Sequence, residues 1–302
     1  MKKIISLILL FTIVLTLSAC EKEEDDKKGA TGSGPIVVDD DDEFCKELDS
    51  AYDYSALDYQ LLWSDEFDGD TLDTDIWSHE LGGSGWGNDE LQYYTDSTNN
   101  SYVNDGSLFI KLIKESYQSN NYTSARLVTK NNHEFKYGIV EMRAKLPIGK
   151  GTWPAFWMMP ADSYYGGWPN SGEIDIMEHV GYDLGTVHHS IHTELFNHPN
   201  HTQKGGSETH ENVDSEFHTY QLEWLPDKLI FSVDEEEVFT YEVNQYDCVK
   251  KGHWPFDKDF FVILNLAFGG SWGAAQGIDS TVTEATFEID YVRVYQDSTI
   301  SN

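Results

Sequence analysis

Residues Glu173-Ile174-Asp175-Ile176-Met177-Glu178 place three carboxylates within six positions of an otherwise apolar run, a pattern few local structures can accommodate. A β-strand turns successive side chains to opposite faces. Glu173 and Asp175 therefore share one face, and Ile174 and Ile176 take the other. Strict alternation would drive Glu178 onto the apolar face, where a lone carboxylate is costly to bury. One extra residue near Ile176-Met177, a β-bulge, restores the register. The pattern thus predicts a bulged strand that is apolar on its core side and carries Glu173, Asp175 and Glu178 together on the other. A merely solvated acidic strand would interleave Lys, Arg or Thr to relieve repulsion. None is interleaved here.

The rest of the chain follows the same period. From about Leu61 onward, Val140, Met142, Ala144 and Leu146 alternate with Glu141, Arg143 and Lys145, and Leu108, Ile110 and Leu112 alternate with Phe109, Lys111 and Ile113. Segments 229–233 and 237–241 flank Asp234-Glu235-Glu236 as a hairpin, 261–268 reads as a buried strand, and 286–295 as a closing strand. Long helical periodicities and internal repeats are absent. About 240 residues of short strands suit one sandwich with a single core. The expected fold is all-β, a jelly roll of two curved antiparallel sheets with a concave face able to hold a polymer.

Upstream of this domain the chain changes character. Lys2 and Lys3 precede an apolar run from Ile4 to Leu17, which reads as a signal segment over residues 1–19. The run is short for a membrane span. Leu17-Ser18-Ala19-Cys20 resembles a bacterial lipobox, which implies cleavage before Cys20 and a lipid anchor there. Residues 20–58 read as a flexible acidic tether, because EKEEDDKK, the glycine-rich stretch and the Asp39–Glu43 run offer too little apolar surface to fold alone. Acids directly after the cysteine resemble the export signal of Bacteroidota lipoproteins, which implies an outer-membrane protein exposed at the cell surface. The domain then occupies residues 59–302. A formal charge of −33 repels nucleic acid and anionic membranes and disfavours sulfated polyanions. A neutral partner fits best, and a monomer is expected. Cys45 and Cys248 remain as a pair in an oxidising compartment, and sequence alone leaves open whether they are within bridging distance.

Paired carboxylates are the equipment of glycoside hydrolysis. The aromatic content points the same way. Sugar rings stack their C–H faces on aromatic rings, and Trp86, Trp153, Trp157 and Trp168 precede the acids while Trp272 follows them. About half of the nine Trp belong in the core on general grounds. Trp153 and Trp157, four apart, share one strand face, and Trp157 suits either the cleft or the core. His188, His189, His192, His198 and His201 cluster in sequence, but no metallohydrolase spacing such as H-E-x-x-H occurs. A catalytic metal is therefore not expected.

The acidic strand, together with segments 63–67 (WSDEF), 86–94 (WGNDELQYY), 153–158 (WPAFWM) and 290–295 (DYVRVY), resembles glycoside hydrolase family 16 in its laminarinase-like, bulge-containing branch. The resemblance spans about Leu61 to Gln296. It implies a retaining double displacement, with Glu173 as nucleophile, Glu178 as acid/base and Asp175 hydrogen-bonded to the nucleophile. Four strand steps separate Cα atoms by about 13 Å, whereas a retaining pair of carboxyl groups sits about 5–5.5 Å apart. The long Glu side chains must therefore lean together on a concave surface. The charge of Asp175 would help keep Glu178 protonated. Trp86, Asn88 and Glu90 match a loop lining the donor subsites. Arg126 would reach a sugar hydroxyl there or else form a surface salt bridge. Trp153 and Trp157 match the cleft floor, with Trp272 beside them. His192 matches a strand histidine next to the acid/base, contacting the acceptor sugar or Glu178. A structural calcium is implied at the backbone carbonyls of Glu66 and Gly106 and the carboxylate of Asp290, which otherwise caps a strand end; oxygen ligands suit that ion.

The expected activity is that of an endo-β-glucanase cutting internal β-1,3 bonds of laminarin-type and mixed β-1,3/1,4-glucans. Two alternatives share the scaffold: a galactanase of agar or porphyran type, and a non-catalytic surface glycan-binding protein. The 86–92 loop favours glucan over galactan, and intact Glu173 and Glu178 argue against a mere binding protein.

Overall fold

The computed structural model describes residues 53–243, 252 and 254–301. The signal segment, Cys20, most of the tether, Cys45 and Cys248 lie outside the described residues. Seventeen strands form among the described residues: β1 (Gln60–Asp65), β2 (Ser78–His79), β3 (Gln92–Tyr94), β4 (Ser101–Asn104), β5 (Ser107–Ile113), β6 (Tyr122–Ser124), β7 (Arg126–Val128), β8 (Gly138–Lys145), β9 (Thr152–Pro160), β10 (Glu173–His179), β11 (Thr186–His192), β12 (Lys204–Thr209), β13 (His218–Trp224), β14 (Lys228–Val233), β15 (Glu236–Glu242), β16 (Phe260–Phe268) and β17 (Glu284–Gln296). Helical structure among them is confined to short turns.

The strands make two sheets. One has the order β15-β14-β13-β8-β17-β5-β6-β3, with β1 added to β17 and β4 to β5. The other, which carries the acidic strand, runs β12-β11-β10-β9-β16-β7-β2. Pairings are antiparallel except β3 with β6. This is the jelly-roll sandwich that the alternation predicts. The core lies between the sheets: Leu108, Ile110 and Leu112 of β5, Val140, Met142 and Ala144 of β8, and Phe287, Ile289, Val292 and Val294 of β17 pack against Phe156, Met158, Ile174, Ile176, Met177, Leu264 and Leu266. Every residue of β16 is buried. Its inner side chains belong to this core, while Phe261 and Ile263 join Val128, Trp157 and Met159 in a second apolar cluster on the opposite face. That second cluster stiffens the floor on which the functional residues stand.

Residues before the first strand already dock on the sandwich. Tyr54 donates its hydroxyl to Asp227 (2.6 Å), and the amide of Asp58 bonds the carboxylate of Asp297 (2.5 Å). The packed body therefore includes residues 53–58.

Candidate active site

The bulge falls within the acidic motif. Against β11, Asp175 pairs with Ser190 and Glu178 with His188, so three steps on β10 match two on its neighbour. Against β9 the shift lies between Asp175 and Met177. Ile174, Ile176 and Met177 are fully buried in the core. Glu173, Asp175 and Glu178 stand together on the outer face, facing His192, Ser190 and His188 across the strand pair. Gly172 leads into the strand with φ +90°, and a Cβ there would meet Phe256 and Pro255 at 2.9 Å. Only glycine fits that entry.

Each glutamate receives one indole N–H. Trp168 Nε1 donates to Glu173 Oε2 (2.7 Å), and Trp153 Nε1 donates to Glu178 Oε1 (2.9 Å). Asp175 accepts from the Ser190 hydroxyl (2.6 Å) and lies 3.3 Å from His192 Nε2, which is also 3.7 Å from Glu173 Oε1. His192 thus attends the nucleophile side of the cluster, and His188 is the residue opposite Glu178. This corrects the expectation that His192 stands next to the acid/base. The cause is the register: Glu173 pairs with His192 ahead of the bulge, and Glu178, beyond it, pairs with His188.

The electrostatics separate the two glutamates. Burial raises the Glu173 carboxyl and the Asp175 charge adds to it, pushing it up to about 8. Burial, then Asp175, also holds Glu178 well above the usual carboxylate range. The opposing influences differ. His192, the Trp168 bond and Arg126 all favour a charged Glu173, whereas Glu178 is relieved by the Trp153 bond and only weakly by His192. Glu173 is therefore the more readily ionised of the two and Glu178 the more firmly protonated, the order a nucleophile and an acid require. Burial disfavours a charged His192, but the hydrogen bond to Asp175 and the charges of Asp175, Glu173 and Glu178 outweigh it and lift the imidazole to about 9.

An aromatic wall extends from the acids towards β7. The guanidinium of Arg126 lies between the rings of Trp86 (4.8 Å) and Trp157 (4.7 Å), with its Nε held by Glu80 (2.6 Å). The salt bridge expected of Arg126 thus forms with Glu80, between two indole rings. Trp157 donates to Asn265 (2.7 Å), Asn265 donates to the Tyr94 hydroxyl (3.1 Å), and that hydroxyl donates to Glu90 (3.2 Å). Glu90 also accepts from Gln92 (2.6 Å) and Asn88 (3.3 Å). Glu90 thus ties the loop to the sheet, and burial raises its carboxyl. On the other side of the acids, Trp272 meets Trp153 edge-on (5.5 Å) and His188 (5.0 Å).

The sequence reading gave Trp168 no contact with an acid, and it missed Ser190, Glu80, Tyr94 and Asn265. Their roles depend on pairings between strands distant in sequence. Among the described residues, the one group of three His, Cys, Asp or Glu side chains close enough to share a metal is Glu173, Asp175 and His192. His188, His189, His198 and His201 form no such group with one another.

Two glutamates gathered on one face of a strand, beside an aromatic floor on a β-sandwich, define a sugar-cleaving class of site. The sequence matches "Glycosyl hydrolases family 16" over residues 87–293, and the chain belongs to that family. It is 44% identical over 258 residues to a β-glucanase of Rhodothermus marinus, covering 83% of this chain and 90% of that protein. The solved laminarinase of Rhodothermus marinus superposes with a TM-score of 0.78 at 44% identity, covering 80% of this chain and 99% of that one. A non-specific endo-β-1,3(4)-glucanase of the family matches with a TM-score of 0.75 at 42% identity, covering 80% and 92% of the two chains.

Proposed function

We infer that this protein is a retaining endo-β-glucanase that hydrolyses internal β-1,3 linkages of laminarin-type and mixed β-1,3/1,4-glucans. The observation that carries this is the bulged strand, which gathers Glu173, Asp175 and Glu178 on one face and gives each glutamate its own indole partner. Glu173 attacks the anomeric carbon while Glu178 protonates the departing oxygen. Glu178 then takes a proton from water, which displaces Glu173 and leaves the β configuration at the new reducing end. Asp175, held by Ser190 and His192, orients the nucleophile and keeps the shared proton on Glu178. Relatives named as laminarinases and endo-1,3(4)-β-glucanases support this activity over the galactanase and binding-protein alternatives. Reducing-sugar release from laminarin, barley β-glucan, lichenan and agarose tests it. Activity on laminarin and the mixed glucans is expected; hydrolysis confined to agarose would refute it.

Finer readings belong to the same proposal. The protein works as a lipid-anchored, monomeric enzyme at the outer face of the cell, supported by the lipobox-like segment ending at Cys20 and the acidic residues after it. Cys20→Ala should move it from the membrane fraction to the soluble one. A calcium ion binds at Glu66, Gly106 and Asp290. In support, Asp65 pairs with Val292 and Leu108 with Ile289, so continuing both registers brings Glu66 and Gly106 abreast of Tyr291, next to Asp290. Space is open beside Gly106 (φ +76°), and the Asp290 carboxylate, which contacts Arg143, would have to turn to the ion. Chelation with EDTA should lower Tm.

A further inference from the structure

The strand register sorts the outer face of the second sheet into rows that run across the strands. One row holds Asp175, Trp157, Ile263 and Val128. Two residues further along the strands, Met159 pairs with Phe261, and this next row lies abreast of Glu173. A glucan lying across the strands over Trp157 and the Trp86–Arg126 wall therefore has a second row alongside it, not at its end. A recess of about 220 Å³ opens in that position. Met159 and Phe261 line it, Glu80, Arg126 and Lys130 supply polar groups, and Trp168, the partner of the nucleophile, is also on its lining.

The lining has a definite chemistry. Phe261 and Met159 offer apolar surface suited to the C–H face of a sugar. The Lys130 ammonium lies 5.2 Å from the Phe261 ring centre and makes no ion pair among the described residues. Glu80 and Arg126 neutralise one another across 2.6 Å yet keep oxygen and N–H groups for hydroxyls. A recess beside the path of the main chain accommodates a substituent, and in a 1,3-linked glucan the primary 6-hydroxyl is free to carry one. The surrounding charge of −33 opposes a polyanion and favours a neutral group.

We propose that this recess is a side pocket for a neutral sugar branch, 6-O-linked to a glycone residue of the glucan. The inference rests on the β-1,3-glucanase reading above. Branched substrate is thereby accepted without lifting its backbone from the Trp157 floor. Ala161, also on the lining and not itself in contact with Trp86, Trp157 or Arg126 in any hydrogen bond or ring contact, provides the blocking position for a larger side chain.

The test compares two β-1,3-gluco-oligosaccharides of equal backbone length, one linear and one with a single 6-O-glucosyl branch on the glycone side. The wild type should cleave both with kcat/KM values within about threefold of each other. Ala161→Trp should lower kcat/KM for the branched compound about tenfold or more and leave the linear one within about twofold, since loss of a buried contact surface commonly has that magnitude. Lys130→Ala, a smaller change, should raise KM for the branched compound alone. A wild type that cleaves only the linear compound overturns the side pocket. So does an Ala161→Trp enzyme that loses both substrates equally while keeping its Tm, or a preference for a uronic acid branch over glucose, which would make the recess an anion site. A wild type that cleaves neither compound overturns the glucanase reading, and this inference with it.

Discussion

Trp168→Phe keeps an aromatic ring at the cleft mouth and removes one hydrogen bond, the 2.7 Å contact from Nε1 to the nucleophilic oxygen pair of Glu173. A hydrogen bond to a charged group contributes roughly 1.5–3 kcal/mol. Trp168 is 45% exposed, so water competes for the carboxylate and the lower end applies. About 1.4 kcal/mol corresponds to tenfold in rate and to about one pH unit in an ionisation. The sign follows from which form the bond favours. It stabilises the carboxylate and so opposes the upward push of burial and of Asp175 on Glu173. Without it the carboxyl ionises at higher pH, and Glu173 attacks only when ionised. Trp168→Phe should therefore lower kcat/KM on laminarin about tenfold near neutral pH and move the acid limb of the pH profile upward by about one unit. Activity should recover in part as pH rises. Initial rates across a pH series, with Tm as a check on folding, measure this; the limb reports the carboxylate cluster as a unit. An acid limb that stays in place, with kcat/KM within twofold of wild type, would refute the role given to Trp168.

Glu178→Gln and Glu173→Gln should each lower turnover on laminarin by several orders of magnitude and raise Tm, because a crowded buried carboxyl is removed. The folded protein holds these protons above the ordinary carboxylate range, so stability falls as pH rises from about 4.5 towards 8; the Tm gain should be larger at pH 7.5 than at pH 5. NMR of the first products should show the β-anomer, and initial α-anomer would mean inversion. Burial lowers His179 and His189 to about 4. Their unfolded forms bind protons near pH 6.5 that the folded forms refuse, so stability should be full above that pH and decline as pH falls towards 4, by up to about 3 kcal/mol for each imidazole. Urea unfolding at pH 7 and pH 5 reads the difference, and His189→Phe should reduce it.

The sequence carried the site as far as period-two logic reaches. Glu178 on the wrong face of a strand is an electrostatic contradiction, and a bulge is the cheapest resolution, so the position of the extra residue was legible before any contact was known. The same logic placed Val140, Met142 and Ala144 inward and closed the sandwich with β17. Contacts across strands were not legible, because they depend on register between segments far apart in the chain. His192 shows this most clearly: the family resemblance set it next to Glu178, but the register of β10 on β11 pairs it with Glu173. Trp168 sits outside any strand in an irregular loop, where no periodicity indicates direction. The two indoles nevertheless solve a problem that the acidic motif itself poses. Three carboxyl groups crowded on one face need donors that bring no charge of their own, since a lysine or arginine at Glu178 would pull off the proton that the acid must give. An indole N–H holds a carboxyl group in place with less effect on its ionisation than a full positive charge. Among the described residues, the imidazole paired with these acids is that of His192, against Asp175 and Glu173, where a positive charge assists the nucleophile. The division of labour between two chemically identical glutamates thus follows from which neighbours are charged and which are only polar.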